Sequence, residues 1–251
     1  MRNPKDCLHA MVIYGIHAVL EALRAGHAAS VSVGDPANPR VRRLVALAES
    51  AGVPVQRRTD AQLARVARGR PHQGVVAELA PRRKHTLGDL LSSPSPLLVV
   101  LDGIEDPQNV GAIFRTADAA GADGVVQQSR HAARLDGAAA KASAGAVAHV
   151  RVATVVNIAR TLEALKAKGV WIVGLAGAVP QQYDDVDLTL PTALVLGAEG
   201  KGLRRLVRAR CDWLVSIPMA GQVSSLNVSV AAGIVLFEAV RQRAARPPEG
   251  A

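Results

Sequence analysis

Aromatic residues are nearly missing from this 251-residue chain, which has two Trp, two Tyr and two Phe. A core must therefore be assembled from Ala, Val, Leu and Ile. Cysteine is almost as rare. Cys7 and Cys211 make neither a disulfide framework nor a metal-ligand cluster, and they read as incidental thiols in a reducing compartment. The seven histidines are scattered without ligand spacing, so no metal is expected. No unbroken apolar run reaches the ~18 residues of a membrane span. The opening MRNPKDCLHA does not read as a signal peptide, and a cytoplasmic location is the expectation.

What the chain does have is positive charge, unevenly placed. Residues 1–84 hold 14 Lys or Arg against 6 Asp or Glu, whereas residues 85–251 hold 16 against 15. Almost the whole formal excess of +9 thus belongs to the first third. A basic module joined to a near-neutral one suggests that the first meets a polyanion while the second does something else.

The basic third alternates short β-like and helical runs. VIYG (12–15) leads into IHAVLEALRAG, where Ile16, Val19, Leu20 and Leu23 recur at helical spacing and Gly26 ends the pattern. Asn38 or Pro39 opens a second helix closed by Gly52. VPVQR reads as a strand, DAQLARVAR as a helix capped by Asp60, and GVVAEL as a last strand. Residues 81–96, PRRKHTLGDLLSSPSP, resemble a linker. Beyond them strands and helices alternate. LLVVLDG, GVVQQ, VWIVGLAG, TALVLGAE and WLVSIPM are the strands, and VGAIFRTADAAG, IARTLEALKAKG, GLRRLVRAR and the segment from residue 224 onward are the helices. That order predicts an α/β fold, a parallel sheet with helices on both sides, preceded by a small α/β domain.

Ligands on such sheets sit at the C-terminal ends of strands, and three loops there stand out. In DGIEDPQNVGAIFRTADAAG (102–121), Asn109 is placed to cap a helix whose Val110, Ile113, Phe114, Ala117 and Ala120 form one apolar stripe. Arg115 falls on the opposite side, flanked by Gly111 and Ala119. LVLGAEGKGLRRL (194–206) fits neither the Walker nor the dinucleotide glycine pattern. It offers Gly197, Gly200 and Gly202 for close backbone approach, with the Glu199 carboxylate in the turn. SIPMAGQVSSLNVSVAAGIVLF (216–237) carries no charge. Ser224 or Ser225 is a natural N-cap there, but Asn227 and Ser229 are poor helix-interior choices.

Together these segments resemble the signature motifs of the SpoU-type RNA ribose 2′-O-methyltransferases of the SPOUT superfamily. The resemblance lies in N-x-G-x-x-x-R-x-A (109–117), L-G-x-E-x-x-G (196–202) and I-P-M-x-G-x-x-x-S-L-N-V-S-V-A (217–231). YGIHAVLEAL (14–23) and HQGVVAEL (72–79) look like the N-terminal domain of the subgroup that methylates a guanosine of large-subunit ribosomal RNA. The resemblance implies a basic, ribosomal-protein-like RNA-binding domain over 1–84, a linker at 85–96, a catalytic domain with a trefoil knot over 97–245, and a tail at 246–251. It also implies S-adenosylmethionine as cofactor, 23S ribosomal RNA as partner and a homodimer, with no membrane and no DNA. Gly197, Ile217 and Leu226 would contact the cofactor, and Asn109, Arg115, Glu199, Ser225 and Asn227 would form the catalytic set. Lys201 departs from the family's usual acidic or polar residue, at a position with no assigned role. Arg115, a poor base with a pKa above about 12, would hold a phosphate and stabilise the developing oxyanion. Ser225 and Asn227 would orient Arg115 and the ribose, and Glu199 would fix the arginine or its loop. The alternatives are a transfer RNA ribose methyltransferase and a non-catalytic RNA-binding protein with a vestigial site.

Overall fold

A computed structural model of the chain describes residues 11–35, 38–80, 85–135, 137–177 and 179–245. Cys7, the basic start of the expected linker (81–84) and the tail (246–251) lie outside the described residues.

Along the chain run β1 (Met11–Tyr14), α1 (Ile16–Arg24), β2 (Ala28–Val33), α2 (Pro39–Ser50), β3 (Val55–Arg57), α3 (Asp60–Val66) and β4 (Val75–Leu79). Next come α4 (Leu87–Leu90), β5 (Leu97–Asp102), α5 (Pro107–Ala119), β6 (Gly124–Gln128), α6 (Gly137–Ala142), α7 (Ala146–His149) and β7 (Val152–Val155). The described chain closes with α8 (Ile158–Lys166), β8 (Trp171–Leu175), β9 (Thr192–Gly197), α9 (Arg205–Arg208), β10 (Trp213–Val215) and α10 (Val228–Ala245).

Two compact units result. The first takes its described residues from Met1–Arg83 and from Arg134–His149. Its sheet has the order β1-β4-β2-β3, with β4 antiparallel to both β1 and β2, and β3 parallel to β2. Alternation along β4 sends Val75, Ala77 and Leu79 into a core with Val19, Leu23 and Leu44 of α1 and α2. Val76 faces Leu63 and Ala67 on the side of α3. Thr59, not Asp60, caps α3: its hydroxyl accepts from Gln62 N while the Gln62 side chain accepts from Thr59 N. Asp60 instead sits in the first turn of the helix. The alanine-rich helices α6 and α7 belong to this unit, with Ala140 of α6 in its core, so residues 134–149 between β6 and β7 serve the N-terminal unit and not the one they interrupt.

The second unit is built from Lys84–Ala133 and Val150–Ala251 around a parallel sheet of order β10-β8-β9-β5-β6-β7. β5 is buried along its whole length, as its unbroken apolar run requires. Leu98 and Val100 face a core shared with Leu162 and Leu165 of α8 and Val207 of α9. α5 and α10 pack together apart from that layer, with Gly233 of α10 against Thr116 of α5. The expected linker is not a tether. Thr86 and Asp89 form a capping box, buried Leu90 joins the core of the second unit, and Arg151 Nη1 donates to Asp89 O at 2.9 Å. The C-terminal end of α10 is stapled down by Arg243, which donates to the carbonyls of Ser95 (2.7 Å), Leu188 (2.9 Å) and Leu190 (2.9 Å). No helix of the described residues is long and apolar enough to cross a membrane.

Candidate active site

Strands β9, β8 and β10 are neighbours and run parallel, so the loops leaving their C-terminal ends converge. A cleft of about 830 Å³ opens between these loops and the start of α10. Leu175, Leu196, Ile217 and Leu226 give it apolar walls, and Glu199, Lys201 and Arg208 are its charged lining. Backbone approach is tight. A Cβ on Gly197 would stand 2.3 Å from the carbonyl carbon of Gly202, because Gly202 N closes the turn onto Ala198 O at 2.7 Å. Gly200 and Gly202 hold φ of 75° and 63°, which side-chain-bearing residues rarely adopt. Glycine at these three positions therefore lets the loop fold back on its own strand.

One chain of amides joins the three loops. Asn109 Nδ2 donates to Glu199 Oε2 at 3.1 Å, and Asn227 Nδ2 donates to Asn109 Oδ1 at 2.8 Å. Asn227 Oδ1 in turn accepts from Ser229 N at 2.9 Å and Ser229 Oγ at 2.6 Å. Buried Asn109 thus spends both ends of its amide on residues 90 and 118 positions away. A buried amide satisfied at both ends fixes its neighbours' positions, since losing either partner would strand a desolvated polar group.

The expected helix caps move. Asp106 caps α5, accepting from Gln108 N and Asn109 N, with Pro107 following it. That frees the Asn109 side chain for the site. Neither Ser224 nor Ser225 caps α10. The helix begins at Val228 with Asn227 in the capping position, so Asn227 is no helix-interior residue.

Of the expected site residues, Gly197, Glu199, Ile217, Ser225 and Leu226 line the cleft, and Asn109 and Asn227 are tied to Glu199. Arg115 is not brought to them. It is exposed on α5 and, among the described residues, makes no side-chain hydrogen bond or ion pair, so Glu199 is fixed by Asn109 and not by the arginine. Six helical positions separate Arg115 from Asn109, which turns them roughly 120° apart.

Sequence reading missed the support beneath the glycine loop. Asp102, fully buried at the end of β5, accepts from Arg204 N at 2.8 Å and Arg204 Nε at 2.6 Å, and Arg204 Nη2 also reaches Gln128 Oε1 at 2.8 Å. This pairing anchors the chain where the loop ends, two residues past Gly202. A carboxylate closing an apolar strand was the signal available. Nearby, burial is the main cause, with Asp212 adding to it, that pushes the Cys211 thiol up to about 12. The thiol packs against Gly174, where a Cβ would come within 2.6 Å of its sulfur. No group of His, Cys, Asp and Glu among the described residues could hold a metal ion.

Comparison with known proteins divides the chain at nearly the same N-terminal boundary, although the stretch 134–149, which packs with the first unit, falls inside the second match. Residues 96–237 match the family model described as SpoU rRNA Methylase family, and residues 12–85 match the model described as RNA 2′-O ribose methyltransferase substrate binding. The chain is similar to the 23S rRNA (guanosine-2′-O-)-methyltransferase of Pseudomonas syringae pv. tomato, 48% identical over 247 residues that cover 93% of this chain and 96% of that protein. It is also similar to the Escherichia coli protein of the same description, 44% identical over 239 residues, 92% of this chain and 98% of that one. Among solved structures, the SpoU methyltransferase AviRb of Streptomyces viridochromogenes in complex with AdoMet superposes with a TM-score of 0.79 at 28% identity, covering 94% of this chain and 91% of that chain.

Proposed function

The chain belongs to the SpoU rRNA methylase family, and we propose that it transfers a methyl group from S-adenosylmethionine to the ribose 2′-hydroxyl of a guanosine in 23S ribosomal RNA. The observation that carries this reading is the chain Glu199–Asn109–Asn227, which joins three motifs distant in sequence beside one cleft. Residues 12–85 would hold the RNA and residues 97–245, with the knot the family implies, would carry the chemistry.

The cleft suits the methyl donor. It has the volume and mixed lining of a small-molecule site. Its glycine turn exposes backbone groups that can meet an adenine edge, and Gly197, Ile217 and Leu226 would hold the molecule. Bound there, S-adenosylmethionine supplies a methyl group on a sulfonium, already a good leaving group, so the protein's task is mainly alignment. Ser225, exposed on the cleft wall, would orient the ribose. Asn109 and Asn227 would hold Glu199 and the start of α10 in place. Arg115, exposed and without an intramolecular partner among the described residues, suits a group that meets RNA: it would grip the adjacent phosphate and stabilise the oxyanion developing at the 2′-oxygen. The hydroxyl proton would pass to that phosphate or to water.

A homodimer is part of the same proposal. α10 leaves Val230 and Phe237 half exposed, with Val223 just before it 65% exposed, and a second copy would cover them. A cytoplasmic site of action follows from the substrate. Mapping of 2′-O-methyl groups on RNA from cells with and without the gene tests the reading. Loss at one guanosine of 23S rRNA is expected. Loss at a transfer RNA position instead, or no loss at all, would overturn it.

A further inference from the structure

The N-terminal unit contains a groove of about 650 Å³ lined by Gln56, Arg57, Arg58, Gln62, Arg65 and Val66. It lies between β3, the edge strand of its sheet, and α3. What sets this groove apart from the rest of a basic surface is its hydrogen-bonding character. Gln56 Oε1 accepts from Arg58 Nη2 at 3.0 Å, and Gln62 Oε1 accepts from Thr59 N at 3.0 Å. Both amide oxygens are therefore spent internally, and the side-chain groups left over are donors: two amide NH2 groups and three guanidinia. No carboxylate lines the groove. The nearby Asp60 is directed to His72, at 3.7 Å. Arg24 is paired with Glu21 at 2.6 Å and Arg70 with the Tyr14 hydroxyl at 3.3 Å, whereas Arg57 and Arg65, like Arg40, Arg42, Arg43 and Arg68 elsewhere on the unit, have no side-chain partner among the described residues.

Side chains that only donate fit a ligand that only accepts. Base edges present mixed donors and acceptors, but the phosphodiester backbone offers oxygen acceptors and negative charge at every step. Planar guanidinia match phosphate oxygens two at a time, and the bond from Gln56 pre-orients one of the three. Resting on the ribosomal RNA reading above, we propose that this groove, made by Arg57, Arg58 and Arg65, is where the N-terminal unit grips the phosphate backbone of its RNA substrate.

The test compares two triple variants of the full chain that remove the same charge from the same unit. One is Arg57→Ala/Arg58→Ala/Arg65→Ala. The other is Arg40→Ala/Arg42→Ala/Arg43→Ala, on the exposed face of α2. Binding of unmodified, in vitro transcribed 23S rRNA is measured across salt concentrations, with melting temperature and S-adenosylmethionine affinity as controls. The groove variant should bind roughly 10- to 100-fold more weakly near physiological salt. Its salt slope should flatten by about 2, the share of three single-strand phosphate contacts. The α2 variant should change far less, and Arg→Lys replacements in the groove should restore most of the slope. Equal losses in the two triple variants would mean diffuse attraction and overturn the groove. Failure of the wild-type chain to bind 23S rRNA at any salt would instead sink the substrate reading on which it rests.

Discussion

The cleft of the second unit and the groove of the first are built from opposite materials. Around the cleft, the polar groups are bonded to one another before any ligand arrives: Asn109 to Glu199 and Asn227, Asp102 to Arg204, Gly202 to Ala198. Around the groove, guanidinia and amides stand with most of their donors unspent, the Arg58–Gln56 bond being the exception among the side chains. The contrast follows from what each must hold. A small cofactor and a reacting ribose demand fixed geometry, since misplacement by an ångström lowers the rate steeply. A long polyanion is held by many exchangeable contacts, each solvated until it arrives. Arg115 belongs by material to the second kind although it stands on α5 of the second unit, and it offers the sharpest test. Arg115→Ala should lower single-turnover methylation of 23S rRNA by about 10²–10³-fold while S-adenosylmethionine affinity by calorimetry stays within about twofold. Equal loss of both would mean that the arginine belongs to the locked cleft after all.

Next in size is Gly197→Ala. Its new methyl group would meet the backbone of Gly202 and Leu203, which Asp102 and Arg204 hold in place. Overpacking of this kind costs about 1–3 kcal/mol, and cofactor affinity should fall at least about tenfold as the loop is pushed off its strand. Arg57→Ala, a surface change, should leave stability within about 0.5 kcal/mol. Thermal melting and calorimetry on the two variants would erase the distinction between the regions if their losses matched.

How far this was legible in the sequence depended on whether the cause was local. The long apolar run of β5, the amphipathic α1 and α8 and the glycines of the 197–202 turn declare themselves over a few residues. β2, AASVSV, did not, because its serines look like loop chemistry; it is a strand because it sits between β4 and β3, where Ser32 is buried. GAAAKA and AVAH lack large apolar residues at any period, and only packing on the first unit makes them helices. The three family motifs were legible as a set, yet the Asn109–Glu199–Asn227 bonds were not, since nothing local says which amide faces which. Asn227 shows the ambiguity in one residue, being both helix cap and network member. Asn227→Ser keeps a good cap but cannot reach Asn109 and leaves its buried Oδ1 unpaired, so it should lose about 1–3 kcal/mol of stability and roughly tenfold in rate. Asn227→Ala should lose about 1 kcal/mol more. A fully active Ser variant would reduce Asn227 to a cap.

The smallest effect concerns Cys211, half-buried against Gly174, whose charge burial opposes. Because burial pushes its pKa up to about 12, well above the ordinary thiol value, the folded chain holds a proton there that the unfolded chain gives up first. This thiol should therefore leave stability unchanged below about pH 8 and lower it as pH rises from 9 toward 12, by at most about 1.4 kcal/mol per unit. In a Cys7→Ser background, iodoacetamide at pH 8 should modify the native chain at least ~100-fold more slowly than the urea-unfolded one. Adding Cys211→Ala should flatten the alkaline decline in urea midpoint, and the difference between the two curves isolates this thiol's contribution. Rapid native labelling would mean that the wall behind the cleft opens readily, and that the second unit is not the rigid partner in the comparison.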